Sequence, residues 1–282
     1  MNAAAGTAGR DTEQIEALQR KAKQIRRNVL RMAQGKGEGY VGQGLGASDI
    51  LAAAYFHAME YDPERPDWPE RDRFLLSTGH YAIVLYAALT TLGIFPEEKL
   101  SSYGADESDF GMTAEGHVPG IEMTGGSLGQ GLSIAIGMAL SAGLGEGRRF
   151  NVFNFLSDGE LQEGATWEAA MAAAHYELDN LVAFVDYNYT QADGLIEDIM
   201  PVEPVAEKWE AFGWHAQNVD GNSMEELVEA LDAAAAAEGK PSAIVCYTQM
   251  GSGVPFITER PKGHFVRVEP DEWEQALADL EK

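Results

Sequence analysis

Apolar positions along the chain fall into two rhythms, one with three- and four-residue spacing and one of short unbroken runs. Ile15, Leu18, Ala22, Ile25, Val29 and Met32 follow the first, which predicts an amphipathic helix closing at the glycine cluster that starts at Gly35. The same spacing predicts helices over residues 48–59, 80–92, 128–144, 166–177, 205–212 and 224–237. Short apolar runs predict strands at 74–77, 150–156, 181–186, 215–219 and 243–248. Strand and helix alternate, and the connections are too long for hairpins. The expected fold class is therefore α/β, a mainly parallel sheet covered by helices on both faces. No repeat or linker divides the chain, although 62–69 and 251–264 read as long functional loops. Residues 1–12 read as a disordered tail and 13–282 as one domain.

Composition narrows the partners. The chain carries 45 acidic against 20 basic residues, a formal charge of -25 over 282 residues, and its pI is near 4.4. Such a field repels polyanions, so neither nucleic acid nor an anionic membrane is an expected partner. The acids are spread throughout the chain and read as a solvated coat, suited to a salt-rich cytoplasm where ions screen the self-repulsion. No window reaches the roughly 18 apolar residues of a membrane span, and the first residues lack the pattern of a secretory signal. A cytoplasmic location is expected. The one cysteine, Cys246, lies in an apolar run and reads as a buried strand residue.

In open parallel sheets, ligands bind beyond the carboxyl ends of the strands. Two such ends carry chemistry: Ser157-Asp158-Gly159-Glu160 after the 150–156 run, and Tyr187-Asn188-Tyr189-Thr190 after the 181–186 run. If these strands are neighbours, Asp158 and Asn188 converge. A carboxylate, an amide oxygen and a main-chain carbonyl are hard ligands for Mg²⁺ or Ca²⁺, whereas Asp-Gly alone is most often a turn. The run Thr124-Gly125-Gly126-Ser127-Leu128-Gly129-Gln130-Gly131 opens a helix, where free N–H groups suit a diphosphate and absent side chains equally suit close packing. Gly37, Gly39 and Gly42 spell G-x-G-x-x-G, but they follow a helix rather than the strand that a dinucleotide fingerprint needs. His80 follows a strand and His264 lies in a glycine-punctuated loop; each alone is more often structural than catalytic. Ser-His-Asp spacing, CxxC and HExxH are lacking, which disfavours hydrolase and zinc chemistry.

Together these segments resemble the thiamine diphosphate-binding half of transketolase. The family's G-D-G…N motif corresponds to Ser157-Asp158-Gly159 with Asn188, inside a long similar block from Asp158 through Gly164, Trp167, Glu168, His175 and Asn180 to Gly194. Further blocks, Arg71-Asp72-Arg73-Phe74 with Gly79-His80, and Gly126-Ser127-Leu128-Gly129-Gln130-Gly131, follow in family order. The resemblance implies a three-layer α/β/α domain that binds thiamine diphosphate. It also implies Mg²⁺ (or Ca²⁺ or Mn²⁺) held by Asp158, Asn188 and the Thr190 carbonyl. Gly159, His80 and His264 would approach the diphosphate, Gly126 and Leu128 the aminopyrimidine, and Ser127 and Glu160 would complete the cofactor site; His80 and His264 would serve in catalysis. The implied reaction moves a two-carbon glycolaldehyde unit from a ketose donor, a sugar phosphate, to an aldose acceptor.

The family's glutamate against the aminopyrimidine comes from a second domain. The chain thus resembles the N-terminal subunit of a split transketolase, expected to work only with a C-terminal partner subunit, as an α₂β₂ complex. Glu163 and Glu168 match acidic positions near that interface, and apolar surface is expected from Gly126 to Leu132 and at Trp167. Two departures concern the substrate: Tyr40 and Met112 stand where relatives carry sugar-contacting histidines, with His117 available to replace one of them. The Gly39-to-Gly46 stretch is similar to the subgroup acting on apulose 4-phosphate, and a sulfonated ketose is a further substrate class. The alternatives are one subunit of a 2-oxoacid decarboxylase or dehydrogenase, or a non-catalytic cofactor-binding subunit.

Overall fold

The computed structural model describes residues 4–143, 150–260, 263–270 and 272–281, with side chains from residue 12 onward. In chain order, α1 (Ala4–Lys36), β1 (Glu38–Gly39), α2 (Val41–Gly46) and α3 (Ser48–Ala53) precede the first sheet strand, β2 (Arg73–Leu76). Then come α4 (Ala82–Leu92), α5 (Gly131–Ala142), β3 (Val152–Ser157), α6 (Gly164–His175) and β4 (Leu181–Tyr187). A hairpin of β5 (Thr190–Gln191) and β6 (Gly194–Leu195) leads to α7 (Ile196–Ile199), α8 (Val205–Ala211), β7 (His215–Asp220) and α9 (Met224–Ala236). Finally come β8 (Ser242–Tyr247), α10 (Pro255–Thr258), β9 (Val266–Arg267) and α11 (Glu272–Asp279).

The central sheet has the order β2-β3-β4-β8-β7, and every pairing is parallel. Strand alternation divides its apolar side chains between two cores. Phe153, Phe155 and Phe184 face α1, α3, α4 and α9 on one side; Val152, Leu156, Ala183 and Val185 face α5, α6 and α8 on the other. All five strand runs predicted from sequence are present, and the three-layer α/β/α arrangement follows from burial of both faces. Cys246 is fully buried in β8, and burial pushes its thiol well above the usual range.

Several boundaries differ from expectation. The helix expected from Leu128 starts at Gly131 because Gly129 takes φ +82°, outside the helical region. The helix expected over 48–59 stops at Ala53 and finishes as a π turn over Ala54–Ala58. The 251–264 segment, expected as loop, contains α10. Helix α1 starts inside the segment read as a tail. The short strands β1 and β9 pair antiparallel and tie the end of α1 to the C-terminal segment, a contact too short and distant for periodicity to register. Among the described residues no helix is long and apolar enough to cross a membrane.

Candidate active site

Ser157 and Asp186 are register partners at the ends of β3 and β4, so the residues just beyond them share one crevice. Asp158 caps a 3₁₀ turn, its Oδ1 accepting from the Gly159 N–H at 2.7 Å. Its Oδ2 accepts from the Tyr189 N–H at 2.9 Å, and Tyr189 itself holds a left-handed φ of 66°. Burial, and then the charge of Asp186, push the Asp158 carboxyl up to about 7; its main-chain hydrogen bonds oppose the rise.

Asp186, fully buried, organises the far wall. It accepts from the Tyr81 hydroxyl at 2.7 Å and the Asn188 Nδ2 at 2.9 Å, and also from the Thr248 hydroxyl. Because a carboxylate accepts only, the Asn188 amide nitrogen must face it. The amide oxygen is turned the other way, where it accepts from the Thr190 N–H at 3.1 Å. Asp158 and the Asn188 oxygen are thereby fixed as two hard oxygen donors at one crevice, beside Thr190. Among the described residues no group of three or more His, Cys, Asp or Glu could hold a metal. A cation here would thus rely on one carboxylate with amide and carbonyl oxygens, a set that fits Mg²⁺ or Ca²⁺ and not zinc.

The crevice opens into a cavity of about 1160 Å³ lined by Tyr40, Asn188, Thr190, Gln191, His264 and Phe265, among others. His264 is at its wall, its ring 5.6 Å from that of His80, and Tyr40 packs edge-on against His80 and His264, at 4.9 and 5.7 Å. Burial, reinforced by His264, lowers the His80 pKa to about 4, and burial lowers that of His264 also. Near neutral pH both rings are uncharged, so each offers one N–H and one lone pair.

The glycine run combines the two roles left open by its sequence. A Cβ on Gly125 would stand 2.4 Å from the Gly79 Cα, and one on Gly129 would stand 2.7 Å from the Glu163 Cβ, so these glycines serve packing. Gly126 meets nothing within 4 Å and leaves its backbone open to a ligand. Glu160 is fully buried beneath this loop, its Oε1 accepting from the Gly129 N–H at 2.7 Å and from the Ser77 hydroxyl. Ser77 in turn accepts from the Gly131 N–H at 3.0 Å. Burial pushes Glu160 up to about 7.

The other expected residues lie outside this cluster. His117 is exposed and faces the carboxylates of Glu115 and Asp109 at 3.3 and 3.8 Å. Met112 packs against the core beside Gly104. Glu163 and Glu168 are exposed at α6, Ser127 is exposed, and Leu128 is half-buried. The apolar surface expected over Gly126–Leu132 is corrected: Leu132 is fully buried, because the helical turn starting at Gly131 points it into the core, while Ile134 and Met171 stand exposed. Residues that sequence reasoning missed include Tyr81, Asp186 and Thr248. Asp186 had one signal, a carboxylate ending an otherwise apolar strand.

Comparison with known proteins places these features in a family. Residues 17–280 match the family described as transketolase, thiamine diphosphate binding domain. The chain is similar to the 6-deoxy-6-sulfo-D-fructose transketolase subunit SqwG of Clostridium sp., at 42% identity over 96% of this chain and 98% of that one. It is also similar to an apulose-4-phosphate transketolase subunit from Actinobacillus succinogenes, at 37% identity over 94% and 96%. Among solved structures, transketolase from Leishmania mexicana superposes with a TM-score of 0.86 at 29% identity, covering 94% of this chain and 41% of that one. The chain thus spans about two-fifths of that transketolase and nearly the whole of the subunits.

Proposed function

The chain belongs to the transketolase thiamine diphosphate-binding domain family, and from that premise we propose that it is the N-terminal subunit of a two-subunit transketolase. It would bind Mg²⁺ and thiamine diphosphate and help transfer a two-carbon glycolaldehyde unit from a ketose to an aldose. The observation that carries the reading is the crevice between β3 and β4. There a buried carboxylate, Asp158, has another carboxylate, Asp186, as its main charged neighbour, and a divalent cation would offset both.

In this reading Asp158, the Asn188 oxygen and the Thr190 carbonyl hold the cation, and Asp186 keeps the Asn188 amide in the orientation that metal binding requires. Gly159, Gly126 and the neutral His80 and His264 receive the diphosphate cofactor, with Glu160 bracing the glycine loop from beneath. Bound thiamine diphosphate supplies the carbanion chemistry. The protein's share is orientation, exclusion of water and donation of N–H groups to oxygen atoms.

The donor is proposed to be a ketose ending in an anion, phosphate or sulfonate, in keeping with the names of the two subunit relatives. A C-terminal subunit supplies the remaining catalytic glutamate, the pair assembles as α₂β₂, and the setting is cytoplasmic. The test is co-purification with a candidate C-terminal subunit, followed by a screen of ketose donors and aldose acceptors. Product carrying the transferred two carbons supports the reading; stoichiometric CO₂ from a 2-oxoacid, or cofactor binding without any turnover, overturns it.

A further inference from the structure

Helix α2 is wedged between two loops. A Cβ on Gly42 would stand 2.7 Å from the Gly263 carbonyl oxygen and one on Gly46 2.9 Å from that of Gln249, so both glycines exist to admit loop backbone. The Gly251 N–H donates to the Gly42 carbonyl at 2.8 Å. These two glycines of α2 lie one turn apart, on the same face of the helix. Between them sits Gln43, only 1% exposed. Its amide nitrogen lies 2.7 Å from the His264 carbonyl oxygen and 2.9 Å from the His264 Nδ1.

These two distances determine more than packing. The His264 carbonyl can only accept, so the amide must present its nitrogen there, and its second hydrogen points at Nδ1. A protonated Nδ1 would set N–H against N–H at 2.9 Å. Nδ1 therefore carries the lone pair and Nε2 the hydrogen. The second ring nitrogen is the one left to serve the Thr190 main chain, to which His264 also hydrogen-bonds. Turning the amide over would face oxygen to oxygen at the carbonyl, and Gln43 Oε1, buried without a partner, has no competing acceptor role among the described residues.

We propose that Gln43 is a positioning residue that locks His264 in the Nε2–H form, so that His264 meets the cavity as a hydrogen-bond donor and not as a base. The consequence for chemistry rests on the function proposed above: the one Nε2 hydrogen, which serves the Thr190 main chain, is shared with a diphosphate or hydroxyl oxygen that enters beside Thr190, and the ring has no Nε2 lone pair with which to remove a proton.

The tautomer is read directly by long-range ¹H–¹⁵N correlation of the full chain at pH 8, with His264 assigned from its loss in His264→Asn. The expected wild-type pattern is a pyridine-like Nδ1 and a pyrrole-like Nε2; a pyrrole-like Nδ1 overturns the proposal without any further variant. In Gln43→Met the amide N–H that pins Nδ1 is gone without an oxygen being set against the His264 carbonyl, and the Nε2–H pattern should give way to an averaged or Nδ1–H one, whereas a merely structural role leaves it unchanged. Titration with Mg²⁺ and thiamine diphosphate separates this inference from the cofactor reading. With the Nε2–H form no longer locked, affinity should fall severalfold or more; loss of the lock with unchanged affinity overturns the donor role. A wild-type chain that shows the expected tautomer yet fails to bind the cofactor in the assembled complex overturns the functional reading alone.

Discussion

Asp158 accepts the main-chain N–H of Tyr189 at 2.9 Å, joining the turn after β3 to the turn after β4. This bond aligns the carboxylate with the Asn188 amide before any cation arrives, so it preorganises the crevice that a metal would use. Asp158→Ala removes the charge and leaves the Tyr189 N–H without its acceptor. Calorimetric titration of the assembled complex with Mg²⁺ and thiamine diphosphate should show affinity reduced at least about tenfold, roughly 1.4 kcal/mol. Unchanged affinity would remove Asp158 from the site.

Glu160 offers a stability test with a definite sign. Its carboxyl rises from an ordinary 4.5 to about 7 through burial. Between those values the unfolded chain has lost the proton that the folded chain keeps, so this group's contribution is complete below pH 4.5 and is lost as pH rises through 7. Glu160→Gln keeps an acceptor for the Gly129 N–H and the Ser77 hydroxyl and cannot ionise. Relative to wild type, the variant should therefore gain up to about 3 kcal/mol in urea denaturation between roughly pH 4.5 and 8. A flat difference across that range would mean that Glu160 is not held protonated.

His80 contributes the opposite slope. Its pKa falls from 6.5 to about 4, chiefly by burial, so below 6.5 the unfolded chain takes up a proton that the folded chain refuses. Stability from this source is present above pH 6.5 and is lost as pH drops through 4. The gap, at roughly 1.4 kcal/mol per pH unit, is worth about 3 kcal/mol. His80→Asn should flatten the acid limb of the denaturation profile between pH 6.5 and 4; an unaltered limb would contradict a buried neutral imidazole.

The layers were legible because their causes are local. Four of the sheet strands, β2, β3, β4 and β8, are largely buried runs, while the edge strand β7 is mixed and part-exposed, and α1 repeats its apolar residues through six positions from Ile15 to Met32. Asp158 and Asn188 were legible for a related reason, since a polar residue ending a fully apolar run has few purposes. The convergence that Asp186, Tyr81 and Thr248 make around Asn188 was not, because it joins β4, the turn after β2 and the end of β8, and no spacing along the chain encodes three-body contact. Gln43 was hidden among glycines whose pattern resembled a weak phosphate motif. The role of Gly42 and Gly46, admitting the backbone at Gly263 and Gln249, depends on the tertiary approach of distant loops.

Tyr40 and Met112 separate in the structure, and so should their variants. Tyr40 lines the cavity and packs edge-on against His80, His264 and Phe265, whereas Met112 packs against the core. Tyr40→His would put a polar partner back on the cavity wall and should raise kcat/KM for ordinary ketose phosphates relative to the native donor, since hydroxyl-reading sites discriminate by their polar groups. Met112→His should leave that ratio within about twofold and act mainly on stability, at the roughly 1–3 kcal/mol typical of a polar group placed in a packed setting. A ratio governed by Met112 instead would reverse this assignment.

The partner proposed above has candidate contact residues on the exposed side of the second core. Ile134 on α5 and Met171 on α6 are 39% and 51% exposed, on helices that contact one another, and Trp167 on α6 is half-buried. Large apolar groups are costly to leave in water, and a partner seated on α5 and α6 would cover them. The 282-residue chain alone should therefore form no product from any ketose and aldose pair in the presence of Mg²⁺ and thiamine diphosphate. Adding the C-terminal subunit should restore turnover and yield a larger species in light scattering. Met171→Glu, exposed in the free chain, should leave its thermal midpoint within about 2 °C, the scale of an exposed-surface change, while weakening assembly at least about tenfold, roughly 1.4 kcal/mol. Turnover by the chain alone, with contaminating transketolase excluded, would show that a residue of this chain replaces the partner's glutamate.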